Sequence, residues 1–172
     1  MITTERLFLR EMTEDDFPAL YAVLADRNIM KHYPYVFDEE RVRQWIAVNI
    51  ERYRIFGFGL WAVCLKDTGE MIGDCGLTMQ MIGGMIRPET GYHIRADMQR
   101  KGYAKEAASA VRDWAFGNTP FNCIYSYMKS TNIPSIRTAL AYGCRPDGEY
   151  TDESGDVTKV FSVCRSSSHN SA

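Results

Sequence analysis

Residues 99–111 of this chain read QRKGYAKEAASAV, so two basic side chains and a glycine stand directly before an alanine-rich helix. A helix N-terminus leaves backbone N–H groups without intrahelical partners, and the helix dipole adds partial positive charge there. Gly102 lets the backbone approach an anion closely because no Cβ intervenes. The basic residues that can neutralise such an anion are Arg100, Lys101 and Lys105. Because several successive amides converge, the pattern predicts a cradle for a diphosphate.

Two neighbouring residues support a diphosphate site, and the absence of two common phosphate-binding motifs disfavours two classes of enzyme. Gln99 can brace the loop, and Ala104 keeps the first helical turn small. The chain contains neither G-x-x-x-x-G-K-[ST] nor a G-x-G-x-x-G that follows a strand. A nucleotide hydrolase and a dinucleotide-dependent enzyme are therefore disfavoured. The alternative to a diphosphate site is a solvated basic turn before an ordinary surface helix.

Length and charge restrict the class of protein. The 172 residues suit one domain, which we place at residues 1–165, with a polar tail, SSSHNSA, at 166–172. A total of 20 Lys and Arg against 22 Asp and Glu gives a formal net charge of −2, which argues against a non-specific nucleic-acid binder. No apolar run approaches the roughly 18 residues that a membrane span needs, and the charged N-terminus is unlike a signal peptide. We expect no nucleic-acid partner, no membrane and a cytoplasmic location.

The five cysteines are widely spaced and form no C-x-x-C pair: Cys64, Cys75, Cys123, Cys144 and Cys164. This pattern predicts neither zinc ligation nor a disulfide framework. We expect buried free thiols in a reducing compartment, and no metal site.

Hydrophobic periodicity and turn residues predict a single α/β (α+β) layer structure with a mixed sheet of about seven strands and about four helices. In chain order, the predicted elements are a strand at 4–12, a helix capped by Thr13, a helix at about 38–56, a meander of strands at 59–66, 71–82 and 85–95, a helix ending at about 116, a strand at 123–128, a helix at about 135–142 and two closing strands. Gly83 and Gly84 are expected to form the tight turn between the second and third strands of the meander.

Several segments resemble one superfamily, in the same order along the chain. The basic stretch reads QRKGYA and resembles the Q/R-x-x-G-x-G/A pyrophosphate loop of the GNAT superfamily of acetyl-CoA-dependent N-acetyltransferases. The start of the chain, TTERLFLREMTEDDF, resembles the branch that contains the ribosomal-protein N-terminal (RimJ/RimL-like) acetyltransferases, and so do GFGLWAV, GEMIGDCGL and ETGYHI. Further on, the chain has NIPSIR where the family has N-x-x-S-x-R, and YGC where LGF is usual. The resemblance covers about residues 3–145 and implies a GNAT-like, mostly antiparallel central sheet.

The resemblance implies where acetyl-CoA would bind. In this family the strand before the loop separates from its neighbour and exposes backbone groups to the pantetheine arm, here those of His93, Ile94 and Arg95. The loop that takes the pyrophosphate with its amides corresponds to Gln99, Arg100, Lys101, Gly102, Tyr103, Ala104 and Lys105. Asn132 aligns with an asparagine that contacts the cofactor arm, and Ser135 lies one helical turn beyond it. The alternative for Asn132 is a helix N-cap, and both roles can hold at once.

The resemblance also implies direct attack of an amine on the thioester. The arriving ammonium must first lose a proton, and Glu89 aligns with the glutamate of the family's E-x-G-Y strand, so it is the candidate base. Glu89 and Gly91 share one side of that strand, which lets a substrate come close. The alternative is a strand-edge glutamate in a salt bridge. We assign the backbone N–H that meets the oxyanion to Ile94.

The general acid is the point at which this sequence departs from the family. Many members have a tyrosine seven residues after the asparagine, but Ala139 stands there. We therefore assign protonation of the leaving thiolate to the hydroxyl of Ser135 or to solvent. Tyr142 is close in sequence but occupies a position that is usually apolar, so we predict that it belongs to the core.

The acceptor side is expected between the first two helices, where the chain carries Tyr33, Tyr35 and Phe37. Aromatic rings attract cations as well as apolar groups, and the alternative is that these rings pack against the long helix. The acidic residues at 38–40 can attract an amine, but they serve equally well as the first turn of that helix, and we favour the second interpretation.

The sequence thus predicts an acetyl-CoA-dependent N-acetyltransferase, monomer or homodimer, that acts on a primary amine of a protein N-terminus or a small molecule. Two other classes stay open. A module that binds acetyl-CoA without catalysis would show no turnover and would tolerate replacement of Glu89. An RNA-binding sheet is the second class, because FGFGLWAV at 56–63 is faintly similar to an aromatic RNA-binding strand, although Phe56 stands where a basic residue is usual.

Overall fold

The computed structural model describes residues 1–151 and 155–165, so the tail predicted at 166–172 lies outside the described residues. Within them, the strands are β1 (Ile2–Thr3), β2 (Leu7–Arg10), β3 (Leu60–Leu65), β4 (Met71–Ile82), β5 (Met85–Ile94), β6 (Cys123–Lys129), β7 (Arg145–Thr151) and β8 (Val157–Cys164). The helices are α1 (Phe17–Leu24), α2 (Glu39–Phe56), α3 (Tyr103–Asn118) and α4 (Ile133–Ala141), with short 3-10 turns at Glu14–Asp16 and Ala96–Met98. In the described ranges, no helix is long and apolar enough to cross a bilayer.

The strands form a mixed sheet in the order β1-β2-β3-β4-β5-β6-β8-β7. Neighbouring strands are antiparallel except β5 and β6, which are parallel and register at the single pair Glu89 and Tyr125. Beyond this pair the two strands share no register, and a gap opens between them towards the C-terminal end of β5. The predicted fold class is confirmed. The strand beyond the predicted seven is β1, whose two residues are too few to show an alternating pattern.

Helix α2 begins and ends at residues that the sequence marks. Asp38 is its N-cap, and the carboxylate accepts a hydrogen bond from the N–H of Arg41 over 2.9 Å. At the other end Gly57 has a left-handed φ of 74°, which glycine adopts without a Cβ clash. The acidic residues after Asp38 lie in the first turn of the helix, as expected.

Helix α2 is fixed to the sheet through the buried amide of Asn49. Its Nδ2 donates to the carbonyl of Trp45 over 2.9 Å, and its Oδ1 accepts from the N–H of Leu60 over 2.9 Å. One turn later, the phenol of Tyr53 donates to the carbonyl of Leu60. These contacts hold the start of β3 against α2 and so fix the side of the helix that carries Trp45 and Arg52.

The core of the molecule lies around β3 and β4. All six residues of β3 and the first eight of β4 are buried, so β3 is a continuous apolar run rather than an alternating one. The buried part of β4 includes one carboxylate, that of Asp74. A carboxylate in such a place needs hydrogen-bond partners, and its partners belong to the site described below.

Two of the five cysteines are paired, so the expectation of free thiols is wrong for them. Cys123 of β6 and Cys164 of β8 stand directly opposite each other in the antiparallel register and form a disulfide. They are 41 residues apart in sequence, and only the strand register brings them together. The other three cysteines are buried and free, as predicted: Cys64, Cys75 and Cys144.

Candidate active site

A cleft with a volume of about 1470 Å³ opens where β5 and β6 diverge. Its walls come from the segment between α1 and α2, helix α2, strand β5, the loop before α3 and the start of α4. The predicted site residues that line it are Glu89, His93, Ile94, Gln99, Arg100, Gly102, Tyr103, Ala104, Lys105, Asn132 and Ser135. Arg95 and Lys101 do not line it. Among the described residues, no group of three or more His, Cys, Asp or Glu side chains is arranged to hold a metal ion.

The loop before α3 contains two residues with left-handed backbone angles. Gly102, the N-cap of α3, has φ 86°, and Arg100 has φ 61°. Gln99 braces the loop, because its Nε2 donates to the carbonyl of Ile94 over 2.9 Å. The first N–H groups of α3 have no partners within the helix, and the residues that carry them line the cleft: Tyr103, Ala104 and Lys105. Such an arrangement can hold a diphosphate.

Arg6 holds this loop in place, a role that the sequence pattern did not reveal. Its Nη1 donates to the carbonyl of Lys101 over 2.9 Å, and its Nε donates to the carboxylate of Glu106 in α3 over 2.7 Å. Glu106 also accepts from the hydroxyl of Thr4 over 2.6 Å. Burial would raise the pKa of Glu106, but these hydrogen bonds lower it below its usual value. The segment between β1 and β2 thus anchors both the loop and the first turn of α3.

The hydrogen bonds of β5 decide which of its backbone groups face the gap. The N–H of Arg95 donates to the carbonyl of Ile72 over 2.9 Å, on the β4 side. Ile94 is the preceding residue of this antiparallel ladder, so its own N–H points away from β4. The same alternation turns the backbone groups of Tyr92 away from β4 and those of His93 towards it. The prediction that His93 and Arg95 present backbone groups to the gap is therefore corrected, whereas Ile94 has the orientation that the prediction requires.

Arg95 and Lys101 are also held by neighbours outside the cleft through their side chains. The guanidinium of Arg95 donates to Asp97 over 2.6 Å and to Glu70 over 2.7 Å. The Nζ of Lys101 lies 3.6 Å from the sulfur of Met98. Neither the side chain of Arg95 nor that of Lys101 therefore lines the cleft.

Glu89 is half-buried in the cleft, on the face of β5 that it shares with Gly91 and His93. The hydroxyl of Thr78 donates to its Oε2 over 2.9 Å. Desolvation raises the pKa of Glu89 to about 7, although the Thr78 hydrogen bond and the charges of His93 and Arg52 oppose the shift. Glu89 makes no salt bridge within the part of the chain that the structure describes, so the alternative of a strand-edge ion pair is not the arrangement found.

A chain of hydrogen bonds connects the buried Asp74 to the cleft through His93. The carboxylate of Asp74 accepts from Nε1 of Trp45 over 3.0 Å and from Nδ1 of His93 over 2.7 Å. Because a carboxylate only accepts, Nδ1 of His93 carries a hydrogen, and Nε2 lies 2.9 Å from the hydroxyl of Tyr33. Burial would lower the pKa of His93, but Asp74 and Glu89 raise it above its ordinary value.

This network was not predicted from the sequence, because only the backbone of His93 was expected to take part in the site. The available signal is the alternation of β5, since residues two apart share a face and place His93 on the same side as Glu89. Asp74 and Trp45 carry no comparable signal, because they come from β4 and α2 and only the fold brings them to His93.

The aromatic residues between α1 and α2 both pack against α2 and form a wall of the cleft. Phe37 is 2% exposed and meets Trp45 edge to face, with ring centres 5.5 Å apart. Tyr33 and Tyr35 line the cleft, and the guanidinium of Arg41 lies 4.1 Å from the ring centre of Tyr35. Both predictions for this segment therefore apply in part: Phe37 packs against α2, and Tyr33 and Tyr35 line the cleft.

The start of α4 forms a further wall. Asn132 is the N-cap of this helix, and its Oδ1 accepts from the N–H of Ser135 over 3.3 Å. The carbonyl of Ser135 accepts from the hydroxyl of Tyr92 over 3.0 Å. Ala139, at the position considered for the general acid, is fully buried. Tyr142 is 1% exposed and belongs to the core, as predicted.

The chain is similar in sequence and in fold to known acetyltransferases. Residues 6–145 match the model of the acetyltransferase (GNAT) domain. The chain is 32% identical to YnaD, an uncharacterized N-acetyltransferase of Bacillus subtilis, over 152 residues that cover 86% of this chain and 84% of YnaD. Its fold is similar to that of an acetyltransferase from Agrobacterium tumefaciens, with a TM-score of 0.82, 27% identity, and 95% of this chain and 94% of the other covered. The fold is also similar to that of RimL, a ribosomal α-N-protein acetyltransferase in complex with coenzyme A, with a TM-score of 0.76, 18% identity, and 94% and 95% covered.

Proposed function

This chain belongs to the acetyltransferase (GNAT) family and is an N-acetyltransferase, and we propose that it transfers the acetyl group of acetyl-CoA to a primary amine by direct attack on the thioester. The observation that carries this proposal is the half-buried carboxylate of Glu89 in the cleft, held by the hydroxyl of Thr78, whose pKa desolvation raises to about 7. A carboxylate of that basicity is suited to accept a proton from an amine near neutral pH.

The cleft fits acetyl-CoA at two features of that molecule. The N–H groups at the start of α3, together with Arg100 and Lys105, suit the pyrophosphate. The gap beyond the pair of Glu89 and Tyr125 leaves the backbone groups of Tyr92, which point away from β4, available to the extended amide chain of pantetheine. The coenzyme A complex of RimL, which has a similar fold, supports the same use of the cleft.

The acceptor must arrive at the carbonyl carbon as a neutral amine. We assign removal of its proton to Glu89, whose carboxylate is held in one orientation by the hydroxyl of Thr78. The nearby charge of His93 lowers the pKa that burial alone would give Glu89, so a useful fraction of the carboxylate is ionised near neutral pH. Asp74 maintains that charge, because it raises the pKa of His93 against the effect of burial.

Attack forms the N–C bond and a tetrahedral oxyanion, for which the N–H of Ile94 is the proposed donor. Collapse breaks the C–S bond and releases coenzyme A as a thiolate, and the second proton of the attacking nitrogen reaches the thiolate through the hydroxyl of Ser135 or through water, which leaves a neutral amide and a neutral thiol. Ser135 lines the cleft, whereas Ala139 has no proton to give. Because thiols ionise at a pKa of about 8.5, the thiolate leaves readily and a weak acid suffices.

The two other classes that the sequence left open have less support. A module without catalysis gives no reason for placing Glu89 in the cleft without a salt bridge, where a raised pKa is typical of functional groups. An RNA-binding sheet needs exposed aromatic residues on a strand face. The strand that suggested it, β3, is buried along its whole length. The oligomeric state, monomer or homodimer, and the cytoplasmic location stay predictions from the sequence.

Calorimetric titration of acetyl-CoA into the wild-type protein and the Gly102→Glu variant tests the binding step. The variant puts a carboxylate at the helix mouth, at a residue with a left-handed φ of 86°, so we expect binding by the wild type and none by the variant. Gly69→Glu is the matched control, because Gly69 has φ 75° and an open surrounding but does not line the cleft. It should bind acetyl-CoA as the wild type does. Absence of binding to folded wild-type protein would refute the proposal.

Turnover is measured on a panel of primary amines through the release of the coenzyme A thiol. The Glu89→Gln variant should still bind acetyl-CoA and should lose about 100-fold or more in kcat, because the neutral amide cannot accept a proton. An unchanged kcat in this variant would exclude Glu89 as the base.

A further inference from the structure

The charges around the cleft are strongly unbalanced. Among the described residues that line it, Glu89 is the one carboxylate, whereas seven are Lys or Arg, of which Lys129 pairs with Asp156 outside the cleft. Arg100 and Lys105 stand beside the loop before α3 and are accounted for by the phosphates of acetyl-CoA. Lys31, Arg41 and Arg52 come from the segment before α2 and from α2 itself, on the side proposed for the acceptor. These three are not needed to bind a cofactor at the other end of the cleft.

Arg52 differs from the other basic residues because it is half-buried and has no acidic partner in the described ranges. Its Nη1 donates to Oδ1 of Asn49 at 3.3 Å, a long hydrogen bond to an oxygen that the N–H of Leu60 already uses. Arg41, by comparison, lies over the ring of Tyr35 and is exposed. Most of the donors of Arg52 are therefore available to a ligand in the cleft.

Arg52 also lies close enough to Glu89 for the charge of each group to shift the pKa of the other. Burial lowers the pKa of the guanidinium, and the charge of Glu89 opposes that shift. The two groups nevertheless form no salt bridge, so both keep hydrogen-bonding capacity that a ligand between them can use. A desolvated guanidinium with free donors binds a carboxylate strongly and with a defined orientation.

We propose that the acceptor is a primary amine that also carries a carboxylate, with Arg52 binding the carboxylate while Glu89 takes the proton of the amine. The inference rests on the proposed acetyl transfer and narrows its substrate class. An acceptor with several positive charges would meet the basic residues of this wall without a counter-ion, whereas an amino acid supplies one. The rings of Tyr33 and Trp45 line the same side and suit an apolar side chain, so apolar free amino acids are the first acceptors to test.

The test compares L-phenylalanine with L-phenylalaninamide, which lacks the carboxylate. We measure kcat/KM for both in the wild type and in Arg52→Gln at pH 9, well above the wild-type pKa of Glu89 of about 7, because loss of the Arg52 charge raises that pKa in the variant. The two acceptors differ in amine basicity, so their kcat/KM values are not compared directly. For each protein we divide kcat/KM for phenylalanine by kcat/KM for phenylalaninamide, and we compare this ratio between the wild type and the variant. We expect the Arg52→Gln substitution to lower that ratio by about tenfold or more, with little change for the amide.

Two further variants separate binding of a carboxylate from a structural role. Arg54→Gln is the matched control, because Arg54 is an exposed guanidinium of the same helix that pairs with Glu51 and does not line the cleft. It should leave the ratio unchanged. Arg52→Lys keeps the charge without the planar fork and should retain part of the preference.

Equal effects of the Arg52→Gln substitution on both acceptors would overturn the inference and leave the acetyl transfer standing, since turnover still occurs. Absence of acetyl-CoA binding, or of turnover on every amine, would overturn both. The carboxylate can belong to a free amino acid or to the side chain of the first residue of a peptide. A peptide amide that begins with Asp distinguishes these two sources, because the side chain of its first residue carries a carboxylate. Acetylation of this peptide that depends on Arg52 and exceeds that of phenylalanine would support the carboxylate requirement and assign the acceptor to a protein N-terminus.

Discussion

The carboxylate of Glu89 extends over Gly91, and its Oε2 lies 3.2 Å from the point where a Cβ of Gly91 would stand. The two residues share one face of β5, so the missing side chain of the glycine is the space that the carboxylate uses. His93 follows on the same face and adds its charge to the environment of Glu89. One strand face thus carries the proposed base, the room for it and a group that adjusts its pKa.

Gly91→Ala should lower kcat by about tenfold, because the added methyl group shifts the carboxylate of Glu89 by a few tenths of an ångström from its position beside Thr78. Acetyl-CoA binding, measured by calorimetry, should be unaffected. Gly117→Ala serves as a control, since nothing lies within 4 Å of the added Cβ in α3. Equal kcat values for the wild type and Gly91→Ala would show that the carboxylate does not need this position.

The rate of acetyl transfer should rise with pH around a midpoint near 7, because Glu89 must lose its proton before it can accept one from the amine, and its pKa is about 7. The profile of kcat/KM against pH also contains the ionisation of the free amine. In Glu89→Gln the midpoint near 7 should disappear and the amine ionisation should remain. A wild-type profile with no inflection between pH 6 and about 8 would contradict the assignment.

Glu89→Gln should also stabilise the protein at alkaline pH. The native pKa of Glu89, about 7, exceeds the ordinary value of 4.5, so its contribution to stability is fully present below pH 4.5 and is lost as the pH rises through 7. Glutamine has no such loss. The free energy of unfolding of the variant, relative to the wild type, should therefore increase by about 3 kcal/mol between pH 4.5 and 8. Urea denaturation at a series of pH values measures this difference, and a constant difference would refute the raised pKa.

Asp74→Asn should lower the pKa of His93, because Asp74 is the first of the groups that offset the effect of burial on the imidazole. The raised pKa of His93 contributes stability that is fully present below the ordinary value of 6.5 and is lost as the pH rises through the native pKa. The variant should therefore be destabilised more at acidic than at alkaline pH. NMR titration of the imidazole of His93 measures the shift directly. Asp97→Asn, an exposed carboxylate bonded to Arg95, should leave the titration of His93 unchanged.

Signals within a few residues predicted much of the fold. Asp38 and Gly57 mark the ends of α2, because capping depends on one side chain or one backbone angle at each end. Gly102 marks the start of α3 for the same reason. The pair Cys123 and Cys164 had no such signal, since the two strands that carry it are joined by a long stretch of chain.

The sequence by itself determined the family resemblance, the basic glycine loop at a helix mouth and the position of Glu89 on a strand face, because each depends on residues close together in the chain. Only the tertiary structure decided that Asp74 would meet His93 and that Arg52 would lie near Glu89. These residues belong to different elements. The register of the strands and the packing of α2 on the sheet decide which of their side chains meet, and both depend on the burial of the whole core.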